Sequence, residues 1–340
     1  MSRFLVVSSF PPRRCGIGAY ASAHVERLRG DGHEVTVLSP PDGDGDVRVP
    51  FSGGRPFRAA ASMAAEFDHV LVHYETGLYF RPGAPLAKIA TSLSLLWLVL
   101  RCRRTEILVH EAHPPRWWRP DHVLLTLAFR AAPMLLFHTW RERRAFQHAF
   151  GFRGRARVVP HGQGVAVRGG WSRAEARKHL GLSDDEPLFL VPGFLHPDKG
   201  VERAVQAFRS VGDTRGRLVI VGSLRDKAPS NIAYAQRLRA LVDRAAGVDL
   251  VERFLDPEEF DAWIAAADAV VLAYRRSWSS GALARAQAIG TPTIVTAVGG
   301  LPEQASERDV IVESDADLAR AIQGVVRSRG SSAGGRTAER

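Results

Sequence analysis

The chain has 340 residues, of which 45% are hydrophobic and 24% charged. This composition excludes a disordered or fibrous protein, and the length suits two domains of ordinary size. The formal net charge of +10 is uneven, since residues 1–160 carry +9 and residues 161–340 carry +1. A cationic half indicates membrane lipid or a phosphorylated molecule as its partner, unless the arginine content serves no specific partner. Nucleic acid is not indicated, because no recognised binding module accompanies the charge.

The cysteines and the apolar segments bear on cellular location. Cys15 and Cys102 are far apart in the sequence and form no metal or disulfide pattern, so we expect a reduced, cytoplasmic setting. The apolar start of the chain ends at once in a turn, which predicts a first strand rather than a signal peptide. Residues 89–100 are apolar but too short to span a bilayer, which takes roughly 20 residues. They predict a buried helix or, alternatively, an amphipathic face resting on anionic lipid at the inner membrane surface.

The first half alternates β-branched runs with helical segments, which indicates a parallel α/β sheet. Its first helix is predicted within GAYASAHVERLRGDG, which begins at Gly18. The predicted strands, in chain order, are FLVVSS, EVTVLSP, HVLVHY, EILVHEA, PMLLFHT and ARVVPHG.

A second alternating series follows a helix and a polar connector near residues 163–185. Its predicted strands are LFLVPGF, RLVIVGS, VDLVERF, AVVLAYR and PTIVTAV. We therefore predict two Rossmann-like, doubly wound parallel-sheet domains that face each other across a cleft, at residues 1–165 and 166–326. The polar, Gly/Ser-rich residues 327–340 predict a flexible tail.

Ligands of such sheets bind beyond the carboxyl ends of the strands, so the segments that follow strands are the candidate sites. In FPPRRCGIGAY, Gly16 and Gly18 allow close backbone approach at a helix start, although a ligand-free tight turn is also possible. In VHEAHPP, His110 suits a hydrogen bond to a substrate hydroxyl or a structural role. A metal site with Glu111 and His113 is disfavoured, because their side chains diverge along an extended segment. His161 is ambiguous in the same way.

Two segments of the second half suit a diphosphate. In PGFLHPDKGVERAVQAF, Lys199 stands beside a helix start, where it suits a phosphate unless it is simply solvated. In YRRSWSSGALARAQAIGTP, Arg275 and Arg276 precede the hydroxyls and amides of Ser279, Ser280 and Gly281. Donors and cations converge there, which favours an anionic ligand.

Taken together, these motifs resemble the GT-B glycosyltransferases, specifically the retaining family 4 (glycosyltransferase group 1). The resemblance implies transfer of a sugar from a nucleotide-diphosphate donor to a sugar, lipid-linked or small-molecule acceptor, with retention and with no metal or other cofactor. It places the acceptor mainly on the first domain and the donor mainly on the second. It also implies a role in catalysis or donor binding for these residues: Gly16, Gly18, His110, Lys199, Phe254, Arg275, Ser279, Ser280, Gly281 and Arg285.

The sequence departs from the family at three positions. Phe194 stands where members commonly have arginine, and Arg275 could supply the missing charge. Ser277 and Arg285 stand where the family motif has two glutamates. Stabilisation of the departing diphosphate by Lys199 and Arg275 could still drive transfer, while Arg285 could meet a phosphate or pair with Glu303.

Two other functions are compatible with parts of the sequence. A catalytically inactive relative that binds a sugar nucleotide or a partner enzyme would explain the missing carboxylates. An NAD-dependent oxidoreductase is disfavoured, because the first loop lacks the GxGxxG spacing.

Overall fold

The computed structural model describes residues 1–212, 216–224 and 228–334. The chain separates into two compact units, and the boundary falls between Val165 and Ala166. This is the position at which the sequence pattern changes. Each unit is built around its own parallel sheet, with strand and helix alternating along the chain, which confirms the predicted doubly wound fold class.

The first unit contains a seven-stranded sheet in the order β3-β2-β1-β4-β5-β6-β7, and every pairing in it is parallel. The strand order reverses between β1 and β4, so the connections on the two sides run in opposite directions. The strands are β1 (Arg3–Val7), β2 (Glu34–Ser39), β3 (Val47–Arg48), β4 (His69–Glu75), β5 (Thr105–Glu111), β6 (Met134–Phe137) and β7 (Ala156–Val158).

Six helices accompany this sheet: α1 (Gly16–Gly30), α2 (Arg55–Met63), α3 (Thr76–Tyr79), α4 (Pro85–Arg101), α5 (Pro120–Ala131) and α6 (Trp140–Phe150). Two short 3₁₀ turns lie at Ala64–Glu66 and His161–Gly164. The start of α6 is fixed by a capping box, in which the Thr139 hydroxyl accepts from the Glu142 amide and Glu142 accepts from the Thr139 amide.

The second unit contains a six-stranded sheet in the order β10-β9-β8-β11-β12-β13, again with parallel pairings. Its strands are β8 (Leu188–Pro192), β9 (Arg217–Gly222), β10 (Val248–Glu252), β11 (Ala269–Leu272), β12 (Thr293–Thr296) and β13 (Val310–Val312). Its helices are α7 (Arg173–His179), α8 (Val201–Ser210), α9 (Pro229–Val242), α10 (Pro257–Ala266), α11 (Gly281–Ile289), α12 (Leu301–Gln304) and α13 (Asp315–Gly334), with a 3₁₀ turn at Pro197–Lys199.

Strand geometry explains why the runs of apolar residues form this sheet. Successive side chains of a strand point to opposite faces, so a strand covered by helices on both sides is apolar at every position. In β8, Phe189 and Val191 pack into one core cluster while Leu188 and Leu190 pack into the other. The strand order reverses between β8 and β11, which are neighbours in the sheet.

The structure differs from the sequence prediction in four elements. The short strands β3 and β13 were not predicted, because two or three apolar residues give too weak a pattern. Helix α1 begins at Gly16, two residues before the predicted start. Helix α13 continues to Gly334 although a tail was predicted from residue 327, since each further residue of an established helix adds one hydrogen bond. The rest of that tail, residues 335–340, lies outside the described residues.

The apolar segment 89–100 belongs to α4, and the prediction that this helix is buried is wrong for one of its faces. Ser92, Leu95 and Leu98 are buried against the rest of the unit, whereas Leu93 and Trp97 are exposed.

Candidate functional site

In the second unit, the loops after β8 and β11 lie side by side where the strand order reverses. At such a switch point the two loops separate to opposite faces and leave a crevice, which is the usual ligand position in this fold class. The amide of Arg275 donates to the carbonyl of Asp198 at 2.8 Å, which ties the two loops together. The two segments that the sequence singled out as diphosphate sites therefore form one site.

Lys199 is the last residue of the 3₁₀ turn and immediately precedes α8. Its ammonium lies over the ring of Tyr274, 3.8 Å from the ring centroid, so an aromatic face holds the cation in place. The next residue, Gly200, has a φ of +58°, and a Cβ there would stand 2.1 Å from the carbonyl oxygen of Ala273. Only glycine fits this contact, and it brings the Lys199 turn against the end of β11.

Arg275 and Arg276 are each paired with a carboxylate. The guanidinium of Arg275 donates to Glu202 at 2.6 and 3.1 Å, and that carboxylate also accepts from the Tyr234 hydroxyl at 2.6 Å. These bonds raise the pKa of Arg275 and, against the opposing effect of burial, lower the pKa of Glu202. Arg276 pairs with Asp198 at 3.1 and 3.3 Å. Both arginine side chains are exposed, and such surface pairs contribute only about 0–1 kcal/mol, so an anionic ligand can displace the carboxylates.

The start of α11 offers fewer donors than the sequence suggested. The Ser280 hydroxyl caps the helix by accepting from the Leu283 amide and also contacts the Tyr274 hydroxyl. The Ser280 amide donates to the side chain of Gln304 at 2.9 Å. In this conformation the Ser280 amide is therefore occupied by Gln304, and its predicted contact with a phosphate stays a prediction. Gly281 is the exposed first residue of α11. At this position the backbone amide has no carbonyl of the same helix to which it can donate. Ser279 is half-buried beside it, and its carbonyl accepts from the Ser277 hydroxyl.

Phe194 and Phe254 lie side by side at the same edge of the sheet, after β8 and β10. Their ring centroids are 6.4 Å apart with the ring planes at 33°, and both residues are half-buried. Phe194 stands where the family commonly has arginine, so an aromatic surface replaces a charge there. This surface suits a flat ring such as a nucleobase better than it suits a phosphate.

Arg285 contacts a buried carboxylate and two backbone carbonyls of its own unit. Its guanidinium forms a two-pronged ion pair with Asp261 on α10 and also donates to the carbonyls of Pro257 and Ala166. The Asp261 side chain is 1% exposed. Asp261 therefore occupies this guanidinium in the structure, and the predicted contact of Arg285 with a nucleotide phosphate stays a prediction. The Asp261 carboxylate also accepts from the Arg168 amide at 2.6 Å, which connects α10 and α11 to the start of the unit.

In the first unit, both glycines of the first loop belong to the first turn of α1. Gly16 is exposed and Gly18 is buried. A Cβ on Gly18 would lie 3.3 Å from the Phe10 amide nitrogen and 3.3 Å from the Ser9 hydroxyl. Gly18 thus lets the helix pack closely on the loop that follows β1, which is a packing reason for this glycine in addition to the predicted ligand contact.

His110 is part of a histidine chain that the sequence analysis missed. Its Nε2 lies 3.1 Å from Nδ1 of His73, and its Nδ1 lies 3.3 Å from Nε2 of His138. Nδ1 of His138 in turn lies 3.0 Å from the carbonyl oxygen of Val159. Both ring nitrogens of His110 therefore face other histidines, and in this conformation neither is directed at a substrate hydroxyl.

The carbonyl of Val159 sets the direction of this chain. A carbonyl oxygen can only accept, so Nδ1 of His138 carries the proton and its Nε2 accepts from His110. By the same logic His110 accepts from His73, whose own Nε2 is left as an acceptor with no partner among the described residues. The three rings form a single directed series of hydrogen bonds from His73 to Val159.

The ring of Tyr20 is surrounded by this chain together with His24 and His161. Its centroid is 5.0 to 6.0 Å from those of the five imidazoles. Burial, with a smaller effect of Arg27 and His138, lowers the pKa of His24 to about 4. Burial lowers the pKa of His138 to about 4 as well, against the hydrogen bond to Val159. The pKa values of His73 and His110 are lowered well below their usual range by burial and by neighbouring histidines. His24, His73, His110 and His138 are therefore neutral at pH 7.

Five neighbouring imidazoles raise the question of a metal. The part of the chain that the structure describes contains no group of three or more histidine, cysteine or acidic residues arranged to hold a metal ion. The ring nitrogens of His73, His110 and His138 instead face one another and a carbonyl, so the cluster is organised by hydrogen bonds.

The signal for this cluster is present in the sequence. Four consecutive predicted strands, HVLVHY, EILVHEA, PMLLFHT and ARVVPHG, each carry a histidine near the carboxyl end. Parallel neighbours bring such positions to one edge of a sheet. The sequence analysis considered His110 and His161 separately and overlooked His73 and His138.

Comparison with solved structures defines the class of fold. The chain is similar to sucrose-phosphate synthase from Thermosynechococcus elongatus (TM-score 0.71, 19% identity), with 97% of this chain and 91% of that chain covered. It is also similar to Anabaena HepE in complex with UDP-glucose (TM-score 0.67, 15% identity, 96% and 90% covered). The protein has the GT-B fold of glycosyltransferases.

Sequence comparison finds similarity to a known family in the second unit. Residues 186–328 match the family described as "Glycosyl transferases group 1", which agrees with the resemblance seen in the sequence. The chain is 35% identical over 182 residues to D-inositol 3-phosphate glycosyltransferase of Acidothermus cellulolyticus and 34% identical over 187 residues to that of a Nocardioides species. Each match covers 50% of this chain and 40% of the relative, so it spans well under half of the relatives' length.

Proposed function

We propose that this protein is a glycosyltransferase that moves a sugar from a nucleotide-diphosphate donor to an acceptor hydroxyl. The observation that carries the proposal is the joined pair of loops after β8 and β11, which bring Lys199 and Arg275 together with the first turn of α11. Two cations and the helix start suit two neighbouring phosphates. The family of residues 186–328 and the names of the relatives support the same activity.

In the proposed reaction the bond between the anomeric carbon and the diphosphate breaks, and the acceptor oxygen bonds to that carbon. Lys199 and Arg275 stabilise the charge that develops on the departing diphosphate, and the leaving phosphate takes the acceptor's proton. We propose retention at the anomeric carbon and no requirement for a metal or other cofactor. Ser277 and Arg285 replace the family's glutamates, and this route needs neither carboxylate.

We propose that Phe194 and Phe254 form the apolar border of the nucleobase. Both rings lie at the carboxyl edge of the sheet that carries Lys199. One solved neighbour is described in complex with UDP-glucose, which makes a uridine nucleotide the first candidate for this donor.

We propose that the first unit receives the acceptor and that the acceptor is anionic. The excess positive charge of the chain lies almost wholly in residues 1–160, and anionic molecules are drawn to such a surface. The names of these similar proteins refer to inositol 3-phosphate and to sucrose-phosphate. A cytoplasmic location is proposed for the protein, consistent with its two free cysteines.

A catalytically inactive relative that only binds a sugar nucleotide is the second candidate. The ion pairs of Arg275 with Glu202 and of Arg285 with Asp261 favour it, because both arginines already have partners. Two observations favour the enzyme. The Arg275–Glu202 pair is exposed, so a ligand can displace the carboxylate, and Lys199 lies in the loop that is joined to the loop of Arg275.

A two-stage experiment separates the two functions. Thermal unfolding is followed with UDP, GDP, dTDP or ADP at about 100 times the dissociation constant, where binding adds roughly 2.7 kcal/mol to the free energy of unfolding. Release of the nucleotide that binds is then measured from its sugar conjugates in the presence of inositol phosphates and hexose phosphates. Binding with acceptor-dependent release supports the glycosyltransferase, and binding without release for any conjugate supports the inactive relative. Failure of all four nucleotides to bind would refute both.

A further inference from the structure

Helix α4 is oriented with its polar residues inward. Thr91, Ser92 and Ser94 are buried. The hydroxyls of Thr91 and Ser94 donate to carbonyls one turn earlier on the same helix, at 2.8 and 2.7 Å, and Ser94 also accepts from Arg58 on α2. A helix on the surface of a globular protein normally turns its apolar residues inward, so this arrangement leaves apolar residues for the outside.

The outer face of α4 is a continuous apolar stripe. Leu93, Trp97 and Leu100 are spaced by four and three residues, which places them on one side of the helix, and Leu86 lies two turns before Leu93. Their exposed fractions are 80% for Leu86, 52% for Leu93, 43% for Trp97 and 64% for Leu100. We call these four residues the α4 face.

Further exposed apolar residues lie on the neighbouring helix. Helix α5 packs alongside α4 and exposes Leu127, and the turn directly before α5 exposes Trp117 and Trp118. Soluble monomeric proteins rarely expose apolar patches of this extent without a partner. The packing of the first unit therefore does not explain why the α4 face is apolar and exposed.

Positive charge borders these apolar residues. Arg101, Arg103 and Arg104 end the helix or follow it and are exposed. Residues 81–130 contain eight lysine or arginine residues and three acidic residues. Of the acidic residues, Asp121 is buried in an ion pair with Arg119, and Glu106 and Glu111 are half-buried in β5. Within residues 81–130 the exposed charge is thus of one sign, and from outside this range the exposed Asp68 interacts with Arg104.

Leucine and tryptophan bordered by arginine match the boundary between headgroups and acyl chains of an anionic membrane. Tryptophan favours this boundary, apolar side chains of an amphipathic helix insert into it, and arginine binds the anionic headgroups. No helix in the described part of the chain is long and apolar enough to cross a membrane, so the contact is with one surface of the bilayer.

We propose that the α4 face docks on an anionic lipid bilayer, with Arg101 and Arg103 at the headgroups. The helix lies along the membrane surface and is held by the first unit from behind. This inference does not depend on the proposed glycosyl transfer, because it rests on residues remote in sequence from Lys199 and Arg275.

The first test is flotation of the full chain with vesicles. Phosphatidylcholine vesicles are compared with vesicles in which about one third of the lipid is phosphatidylglycerol, which supplies the negative surface potential. We expect the protein to float with the anionic vesicles, to remain unbound with the neutral ones, and to be released by high salt. Equal binding to both kinds of vesicle, or binding to neither, would overturn the proposal.

Variants identify the surface responsible. Leu93→Glu with Trp97→Glu should abolish flotation, whereas Val310→Glu with Ile311→Glu, which alters similarly exposed residues of β13 in the second unit, should not. Arg101→Gln and Arg103→Gln should each weaken binding about fivefold, the effect expected of one cation near an anionic surface. If the first pair of variants misfolds by circular dichroism, Leu86→Glu with Leu100→Glu provides the same test at more exposed positions. Undiminished binding of the folded α4 variants would refute the proposal.

A second copy of this chain is the competing occupant. Sedimentation velocity without lipid distinguishes it, because the proposed membrane face leaves the protein monomeric in solution. A dimer that Leu93→Glu converts to a monomer would assign the α4 face to self-association and overturn membrane docking.

Discussion

The two units bring their candidate residues to the same part of the same topology, one set charged and the other neutral. In the second unit, Lys199 and Arg275 stand at the switch point as cations, the first over an aromatic ring and the second in an exposed ion pair. In the first unit, the carboxyl ends of β4, β5 and β6 hold His73, His110 and His138 in a neutral, directed chain. The second unit has cationic side chains that can turn to a ligand. The first unit has hydrogen-bonding imidazoles whose orientation is already fixed.

The difference shows that fold position alone does not define a site. Surface ion pairs are weak, so the Arg275–Glu202 pair can open when a diphosphate arrives. A buried hydrogen-bond chain is costly to disrupt, because each broken bond leaves an unsatisfied group. The second unit is therefore suited to binding and releasing an anion, and the first to holding a rigid polar surface.

The largest expected effect concerns Arg285, which lies on α11 of the second unit and pairs with the buried Asp261. Arg285→Leu leaves the buried Asp261 carboxylate without its partner, and loss of one member of a buried pair costs about 3–5 kcal/mol. Chemical denaturation should show this loss in the free energy of unfolding, while the folded fraction keeps its nucleotide affinity.

The double variant Arg285→Leu with Asp261→Leu is the control for this assignment, because it removes both charges. It should recover most of the lost stability. Retained stability of Arg285→Leu together with weakened nucleotide binding would instead return Arg285 to the ligand site.

The next effect concerns Lys199 and tests whether the cations in the loops after β8 and β11 take part in catalysis. Lys199→Ala removes a cation from the departing diphosphate, and loss of one preorganised donor typically lowers kcat about 10²- to 10³-fold. Steady-state kinetics with the identified donor would measure it. Lys178→Ala removes an exposed lysine of α7 and should leave kcat unchanged. An equally active Lys199→Ala protein would exclude Lys199 from the mechanism.

The histidine cluster should make the first unit sensitive to acid. The folded pKa values of His24 and His138 are about 4, against an ordinary value near 6.5. Between these values the unfolded chain binds more protons than the folded one, so the free energy of unfolding falls as pH drops from about 6.5 to about 4. Each of these two histidines contributes about 3 kcal/mol to this loss. Denaturation across that pH range would measure it.

His24→Phe provides the control, because Nδ1 of His24 has no hydrogen-bond partner among the described residues. The variant should unfold with a shallower dependence on pH, while His73, His110, His138, His161 and Arg27 keep their mutual contacts. An identical pH profile in the variant and the parent protein would show that His24 is not buried as a neutral group.

Most strands, the helices and the candidate site of the second unit were predicted from the sequence, whereas most of the histidine chain of the first unit was not. The apolar runs predicted eleven of the strands because a strand covered on both faces is apolar throughout. Lys199 was recognised because it stands beside a helix start in the loop after a strand, and Arg275 because it follows the next strand-end turn near Ser279, Ser280 and Gly281. The histidine chain was missed because its members are 28 and 37 residues apart in sequence and meet only through strand pairing. The Asp261 partner of Arg285 was missed because the two residues are 24 positions apart and meet only through the packing of α10 against α11.

The smallest predicted effect concerns Glu202, which competes with a ligand for Arg275. Glu202→Gln removes the negative charge while its amide oxygen can still accept from the Tyr234 hydroxyl, so the local packing is kept. Because an exposed pair is worth up to about 1 kcal/mol, freeing Arg275 should tighten nucleotide-diphosphate binding by up to about fivefold. Isothermal titration would measure the change.

Glu252→Gln is the matched control, because Glu252 pairs with Arg239 by a similar two-pronged contact elsewhere in the unit. It should leave the dissociation constant unchanged. Tighter binding in Glu202→Gln that disappears when Arg275→Gln is added would establish that the arginine moves from the carboxylate to the ligand. Unchanged or weaker binding in Glu202→Gln would mean instead that Glu202 orients Arg275 for the phosphate. The Arg275 side chain would then be held in one orientation, as the imidazoles of the histidine chain are in the first unit.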